Sequence, residues 1–166
     1  FSRKYEITPD YRVTDYHMDD SSWPDGAKAV LAIGDDALRL QKNPAVTLTL
    51  DLGAAWHEWT GHPFVFAVWA LRHGSLAKRD GQLHQAHATL LKARDYGLNH
   101  LEDIATAVGQ CSWFSRQECV QYLKTIEYDL DSDKQAGLRL FFDMLHETGE
   151  LSRRVPLNFL PAFKSK

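Results

Sequence analysis

Residues 60–72 read Thr-Gly-His-Pro-Phe-Val-Phe-Ala-Val-Trp-Ala-Leu-Arg, and no polar residue falls between Phe64 and Leu71. This stretch constrains the fold more than any other. Gly61 and Pro63 end whatever helix precedes it. Phe64, Val65, Phe66, Val68 and Trp69 are aromatic or β-branched, the types that suit a pleated surface. An unbroken apolar run of this length behind Gly and Pro predicts a strand buried on both faces, as in the middle of an α/β sheet. The run is far too short to cross a bilayer as a helix. It could equally be a core strand with no chemical role.

The chain has 166 residues, enough for one good core or two small lobes. Its net charge of -3 and pI of about 6.2 leave no basic surplus, which argues against nucleic acid as a partner. Cys111 and Cys119 form neither a Cys-x-x-Cys pair nor a zinc pattern. They read as small buried thiols in a reducing, cytoplasmic setting rather than as a disulfide. The opening Phe1-Ser-Arg-Lys-Tyr-Glu-Ile reads as the last turn of a helix, so the chain is expected to be a piece of a longer protein.

Taken in order, Thr8-Pro9-Asp10 is a turn signal, residues 11–17 a weak strand, residues 18–24 an acidic loop, and Trp23-Pro24-Asp25-Gly26 a second turn. Residues 29–33 read as a buried strand. Gly34-Asp35-Asp36 then turns into a helix that Asp35 or Asp36 would cap. Asn43-Pro44 closes that helix, residues 46–50 read as an edge strand, and Asp51-Leu52-Gly53 leads into a short helix carrying Trp56, His57 and Trp59. His73-Gly74-Ser75 is a break. Beyond it the pattern is helical. One helix turns Leu83, Ala86, Leu90 and Leu91 inward and ends at Tyr96-Gly97. A second runs from Leu98 to Val108 and stops at Gly109. A third covers residues 115–127, with Val120, Leu123 and Ile126 inward. A fourth is capped by Asp131 or Ser132, turns Ala136, Leu140, Met144 and Leu145 inward, and closes at Gly149. A tail follows with Phe159, Leu160 and Phe163.

Several motifs fail on spacing. His57-Glu58 and His62 miss the zincin pattern, because the two histidines are five apart and Gly61 intervenes. His84 and His87 are helical neighbours without an evident third ligand, and read as solvated histidines. Asp129, Asp131 and Asp133 start like a calcium loop, but Lys134 and Leu140 stand where the loop needs Gly and Glu. There is no nucleophile elbow, phosphate loop or dinucleotide fingerprint. What remains is Ile33-Gly34-Asp35-Asp36-Ala37. A strand end meeting a helix start offers free N–H groups to an anion, and α/β sheets bind ligands there. The two aspartates mean that a bound carboxylate would use backbone N–H groups. A plain capped turn is the alternative.

Three blocks carry a resemblance. They are Ala32-Ile-Gly-Asp-Asp-Ala-Leu38; Asp51-Leu52-Gly53 with Trp56, Thr60-Gly61 and Pro63 through Ala70; and Tyr122-Leu123, Ile126, Tyr128-Asp129-Leu130 and Ala136-Gly137-Leu138 with Phe141. In this order and spacing the chain resembles the MqnA family, chorismate dehydratases of the futalosine route to menaquinone. The sister MqnD family, which makes dihydroxynaphthoate, differs in the run after Thr-Gly-x-Pro and places a histidine where this chain has Gly34.

The resemblance implies a type II periplasmic-binding-protein-like fold: two α/β lobes joined by hinge strands and closing on a small anion. Residues 1–63 would belong to the inserted lobe, and residues 64–166 to the hinge strand and the helical part of the first lobe. It implies a lyase that converts chorismate to 3-[(1-carboxyvinyl)oxy]benzoate without metal or organic cofactor. The small-molecule substrate is the expected partner, with neither nucleic acid nor membrane; oligomeric state is open, a dimer being one candidate. The family carries an upstream part with substrate-contacting turns that this chain lacks, so the chain is expected to supply one wall of the cleft and to be inactive alone. Gly34, Asp35 and Ala37 at the helix start, and Phe64, Phe66 and Trp69 on the hinge strand, are the expected substrate-binding residues. No general acid or base is assigned, and Asp35 is the one carboxylate to test. The rival readings are a non-catalytic solute-binding protein for an organic anion and an MqnD-type enzyme.

Overall fold

A computed structural model describes residues 2–13, 26–72, 80–108 and 113–159. Helices dominate them. In chain order they are α1 (Ser2–Tyr5), α2 (Gly34–Gln41), α3 (Leu52–Thr60), α4 (Asp80–Asn99), α5 (Leu101–Val108), α6 (Arg116–Thr125) and α7 (Ser132–Glu147). The chain divides into two units, Phe1–Gly61 and His62–Lys166.

Capping side chains explain where α3, α6 and α7 begin, and glycines turn the chain at the ends of α3 and α7. Asp51 starts α3 by accepting from the N–H groups of Gly53 (2.8 Å) and Ala54 (3.0 Å). Gly61, at φ 75°, closes it with an N–H bond to His57 O. The left-handed turn is open to glycine without strain. Ser115 and Glu118 form a reciprocal capping box at α6. Asp131 caps α7 through the N–H groups of Asp133 and Lys134. Gly149 turns the chain after α7 at φ 81°.

In the first unit, Lys4 ties α1 to α3. Its ammonium donates to Ala55 O at 2.8 Å and to Glu58 Oε2 at 2.6 Å. The Lys4 hydrogen bond, together with its charge, holds the Glu58 carboxyl below its ordinary value. Ala55 and Trp56 are the buried residues of α3, with Trp59 edge-on to Trp56 at 6.1 Å.

In the second unit α5 packs on α6. Ala105, Cys119 and Val120 are buried there, with Leu101, Phe114 and Leu123 against them. Cys119 is thus a small buried thiol, as expected. Val120 faces inward as the periodicity requires. In α7, Gly137 and Leu138 are buried, and Ala136, Leu140, Met144 and Leu145 are half-buried.

Four expectations need correction. First, residues 29–33, 46–50 and 64–71 are not strands: among the described residues there is no strand at all. Leu31, Ile33, Leu48, Phe66 and Trp69 are largely exposed, and Val68 and Leu71 are about half exposed. A strand exists only when a neighbouring backbone completes its hydrogen bonds, and no described segment does so for these runs. Second, neither Asp35 nor Asp36 caps α2. Gly34 already makes the turn at φ 61°, which leaves both aspartates inside the first helical turn and Ile33 as a cap without a side-chain bond. Third, Gly97 does not end α4, which continues to Asn99. One glycine costs a helix only about 1 kcal/mol. The break comes at His100, whose N–H bonds Gly97 O and whose ring stacks on Tyr96 at 3.9 Å. The next helix therefore starts at Leu101 rather than Leu98. Fourth, Ala86, Leu90 and Leu91 are exposed rather than inward.

The turn at residues 23–26, the break at 73–75, Gly109, Cys111, Leu160 and Phe163 lie wholly or partly outside the described residues, as does most of the predicted 11–17 strand; its described part, 11–13, is not a strand. No described helix is long and apolar enough to cross a membrane.

Candidate functional site

The six predicted substrate-binding residues fall into two groups. Gly34, Asp35 and Ala37 share the first turn of α2 in the first unit. Because no side chain caps that turn, its leading N–H groups carry the positive end of the helix dipole without competition from a cap. Gly34 has open space where a Cβ would stand. Asp35 and Asp36 are exposed on the same turn, so their carboxylates oppose any anion approaching from the side.

Phe64, Phe66 and Trp69 lie on the irregular run at the start of the second unit. Phe64 is half-buried and set edge-on between two rings: Phe66 at 4.9 Å and 74°, and Phe141 at 5.2 Å and 85°. Edge-to-face geometry places positive ring edges on negative faces and fixes ring orientation. Phe66 and Trp69 are 79% and 86% exposed, so they present aromatic surface and not core.

The start of this run is seated on α7. The His62 ring nitrogen Nδ1 donates to Asp133 Oδ1 at 3.2 Å. A Cβ on Gly137 would come closer to Pro63 O than the 3.0 Å that real side chains keep. Phe141 meets Phe64. Residues 133, 137 and 141 are four apart and therefore share one helix face. Gly137 and Asp133 were not singled out as site residues from the sequence. The signal that could have found them is this Asp-x-x-x-Gly-x-x-x-Phe spacing on a capped helix.

The loop before α7 contains the sequence that resembles a calcium site. Lys134 occupies its centre. The Nζ atom lies 2.7 Å from Glu127, 2.8 Å from Asp129 and 3.2 Å from Asp131. The Lys134 side-chain hydrogen bond lowers the Asp129 pKa. The Lys134 backbone N–H, followed by its ammonium, lowers that of Asp131. In return Asp129 first, then Glu127, raise the lysine pKa well above its ordinary value. The ammonium stands where a cation would, and the carboxylates serve as its partners. Among the described residues no group of three or more His, Cys, Asp or Glu side chains is placed to hold a metal.

Two open grooves lie elsewhere in the second unit. One, of about 450 Å³, runs along α5 and α6 past Glu102, Arg116 and Lys124; the other, of about 320 Å³, lies by Arg94, Leu98 and Tyr128. Neither contains a predicted site residue. Both are open, unlike the enclosed clefts that hold small ligands.

Residues 1–147 match the family model described as menaquinone biosynthesis. The chain belongs to the menaquinone-biosynthesis family. All six predicted residues lie inside the matched span. A curated relative is the chorismate dehydratase of Thermus thermophilus. It is 34% identical over 95 residues, covering 57% of this chain and 33% of that protein. The match thus spans one third of the relative's length. Within this menaquinone-biosynthesis family, the resemblance to MqnA drawn from the three sequence blocks is upheld.

Proposed function

We propose that this chain is part of a chorismate dehydratase, a lyase that removes water from chorismate to give 3-[(1-carboxyvinyl)oxy]benzoate on the futalosine route. The observation that carries this reading is the 34% identity over 95 residues to a curated chorismate dehydratase, together with the family match over residues 1–147.

The chemistry asks little of the protein beyond placement. The hydrogen on the ring carbon bearing the enol ether and the hydroxyl on the adjacent carbon leave together as water, and the ring becomes aromatic. Aromatisation supplies the driving force. The enzyme has to orient a dianion, exclude bulk water and assist the two departing groups. Taken by itself, the uncapped first turn of α2 in the first unit is of a kind that receives a carboxylate through backbone N–H groups, with Gly34 giving close access. In the second unit, also taken by itself, the exposed rings of Phe66 and Trp69 are aromatic surface of the kind that suits a flat ring, and Phe64 packs edge-on against Phe66. In the complete enzyme, on this reading, the runs 29–33, 46–50 and 64–71 are strands of a two-lobed α/β fold of the periplasmic-binding-protein type. The exposed apolar side chains of Leu31, Ile33, Leu48, Leu50, Phe66 and Trp69 support that assignment. A cytoplasmic setting fits a soluble metabolite substrate.

The test is incubation of the complete protein with chorismate, followed by mass spectrometry. The expected result is a product lighter by one water, with the ultraviolet spectrum of a substituted benzoate. Recovery of intact chorismate at high enzyme concentration overturns the reading. Asp35→Asn then decides whether that carboxylate moves a proton: a lowered turnover assigns it the role, and an unchanged rate removes it.

A further inference from the structure

We infer that one face of α7, formed by Asp133, Gly137 and Phe141, is a seat that sets the position of Phe64 and of the aromatic run behind it. These are positioning residues for the substrate wall. The inference rests on the function proposed above and adds to it the residues that hold that wall in register.

Three independent contacts converge on three consecutive residues of the run. Asp133 takes the hydrogen bond of His62 at 3.2 Å. An ionised carboxylate only accepts, so the imidazole nitrogen at this contact carries the proton. Gly137 lets the Pro63 carbonyl approach the helix so closely that any side chain would collide with backbone. The His62 Cβ lies at only 3.2 Å from the same point. Backbone cannot swing aside as a flexible side chain can, so the run itself would have to move. Phe141 then holds the Phe64 ring edge-on at 5.2 Å. Only a few residues separate this seat from the exposed Phe66 and Trp69. A shift at Pro63 is therefore passed along the short connecting backbone to the rings proposed to face substrate. A misplacement of about 1 Å caused by a change away from the reacting atoms can cost about a hundredfold.

The experiment uses the complete protein and steady-state kinetics with chorismate. Gly137→Ala is expected to lower kcat/KM about tenfold or more, chiefly through KM, because it displaces the wall without touching the reacting atoms. Phe141→Leu is expected to raise KM about threefold, since it keeps an apolar side chain there but loses the ring that orients Phe64. Leu138→Ala is the control. It weakens the same turn of α7 while leaving all three seat contacts in place, so it lowers the melting midpoint and leaves KM within about twofold. That split separates positioning from general weakening of the helix. Folded Gly137→Ala and Phe141→Leu proteins with wild-type KM and kcat overturn the inference while leaving the proposed function intact. Should Gly137→Ala fail to fold, Phe141→Leu decides alone. A wild-type protein that neither binds nor dehydrates chorismate gives a different pattern: the proposed function falls, and the inference with it.

Discussion

Leu138 and Leu48 are the same residue type in opposite circumstances. Leu138 lies in α7 and is 8% exposed; Leu48 lies in the irregular run 46–50 and is 87% exposed. The first sits in an element whose hydrogen bonds are closed within itself and whose ends are finished by its own side chains. The second sits in a run whose backbone groups find no strand partner in a described segment. A helix is completed locally; a strand is completed only by another strand. The two regions differ in what must be present for the apolar side chain to have somewhere to go.

The comparison is sharpest in a matched pair of substitutions. Leu138→Ala is expected to destabilise the chain by about 2–3 kcal/mol, the lower part of the range for buried leucines, because its site is near the surface of the unit. Leu48→Ala should stay within about 0.5 kcal/mol. Urea midpoints measured at unchanged slope give both numbers. Similar losses at the two positions would show that the run 46–50 is packed after all.

The next largest effect probes how the helices are finished. Ser115→Ala removes the side chain that accepts from the Glu118 N–H and breaks the capping box of α6. A loss of about 1 kcal/mol is expected. Glu118→Gln should keep most of the wild-type stability, since an amide oxygen can still accept from the Ser115 N–H. A silent Ser115→Ala would mean that α6 is held by its packing on α5 and owes little to its cap.

Charge gives a further test, at the cluster around Lys134. Asp129 and Asp131 have folded-state pKa values below the ordinary 3.8. Their contribution to stability is therefore present above that value and lost as pH falls below it. Lys134 is raised above 10.5, so its contribution is present below 10.5 and lost as pH climbs toward the raised value. The carboxylates are more than half exposed, so water and salt screen them and the swing is modest. Lys134→Met should flatten the alkaline side of a stability-against-pH curve and lessen the acid-side loss. An unchanged curve would show that the cluster is not coupled to folding.

What could be read from the sequence follows the same division. Asp51, Ser115, Asp131, Gly61 and Gly149 all announce helix ends, and each acts within a few residues of the turn it finishes. Residues 29–33 and 64–71 were recognisable as apolar runs and residues 46–50 as an alternating one, yet their pairing as strands depended on neighbours that a one-dimensional pattern does not name. The site divides likewise. The open turn at Gly34 was visible as a glycine before a helix, although its missing cap was not. Phe64 was visible as an aromatic behind proline. Its seat on Asp133, Gly137 and Phe141 was not, because the two partners are some seventy residues apart.

The smallest expected effect tests the boundary where local reading failed. Gly97 looked like a stop, yet α4 passes through it and ends only at Asn99. If the helix continues there for its own reasons, replacing the glycine should help. Gly97 has no left-handed φ, and a Cβ at this position would meet Ile104 Cδ1 at 3.7 Å, an ordinary van der Waals contact. Gly97→Ala should therefore stabilise by about 0.5 kcal/mol, since alanine is the better helix former and the unfolded chain loses freedom. The gain is less than the full difference between the two residues because the site is in the last turn. A loss in place of a gain would mean that the turn at His100 needs freedom at residue 97, and that glycine marks the α4–α5 corner as a true break. The readout is the thermal midpoint, with helix content by circular dichroism as the check that α4 has kept its length.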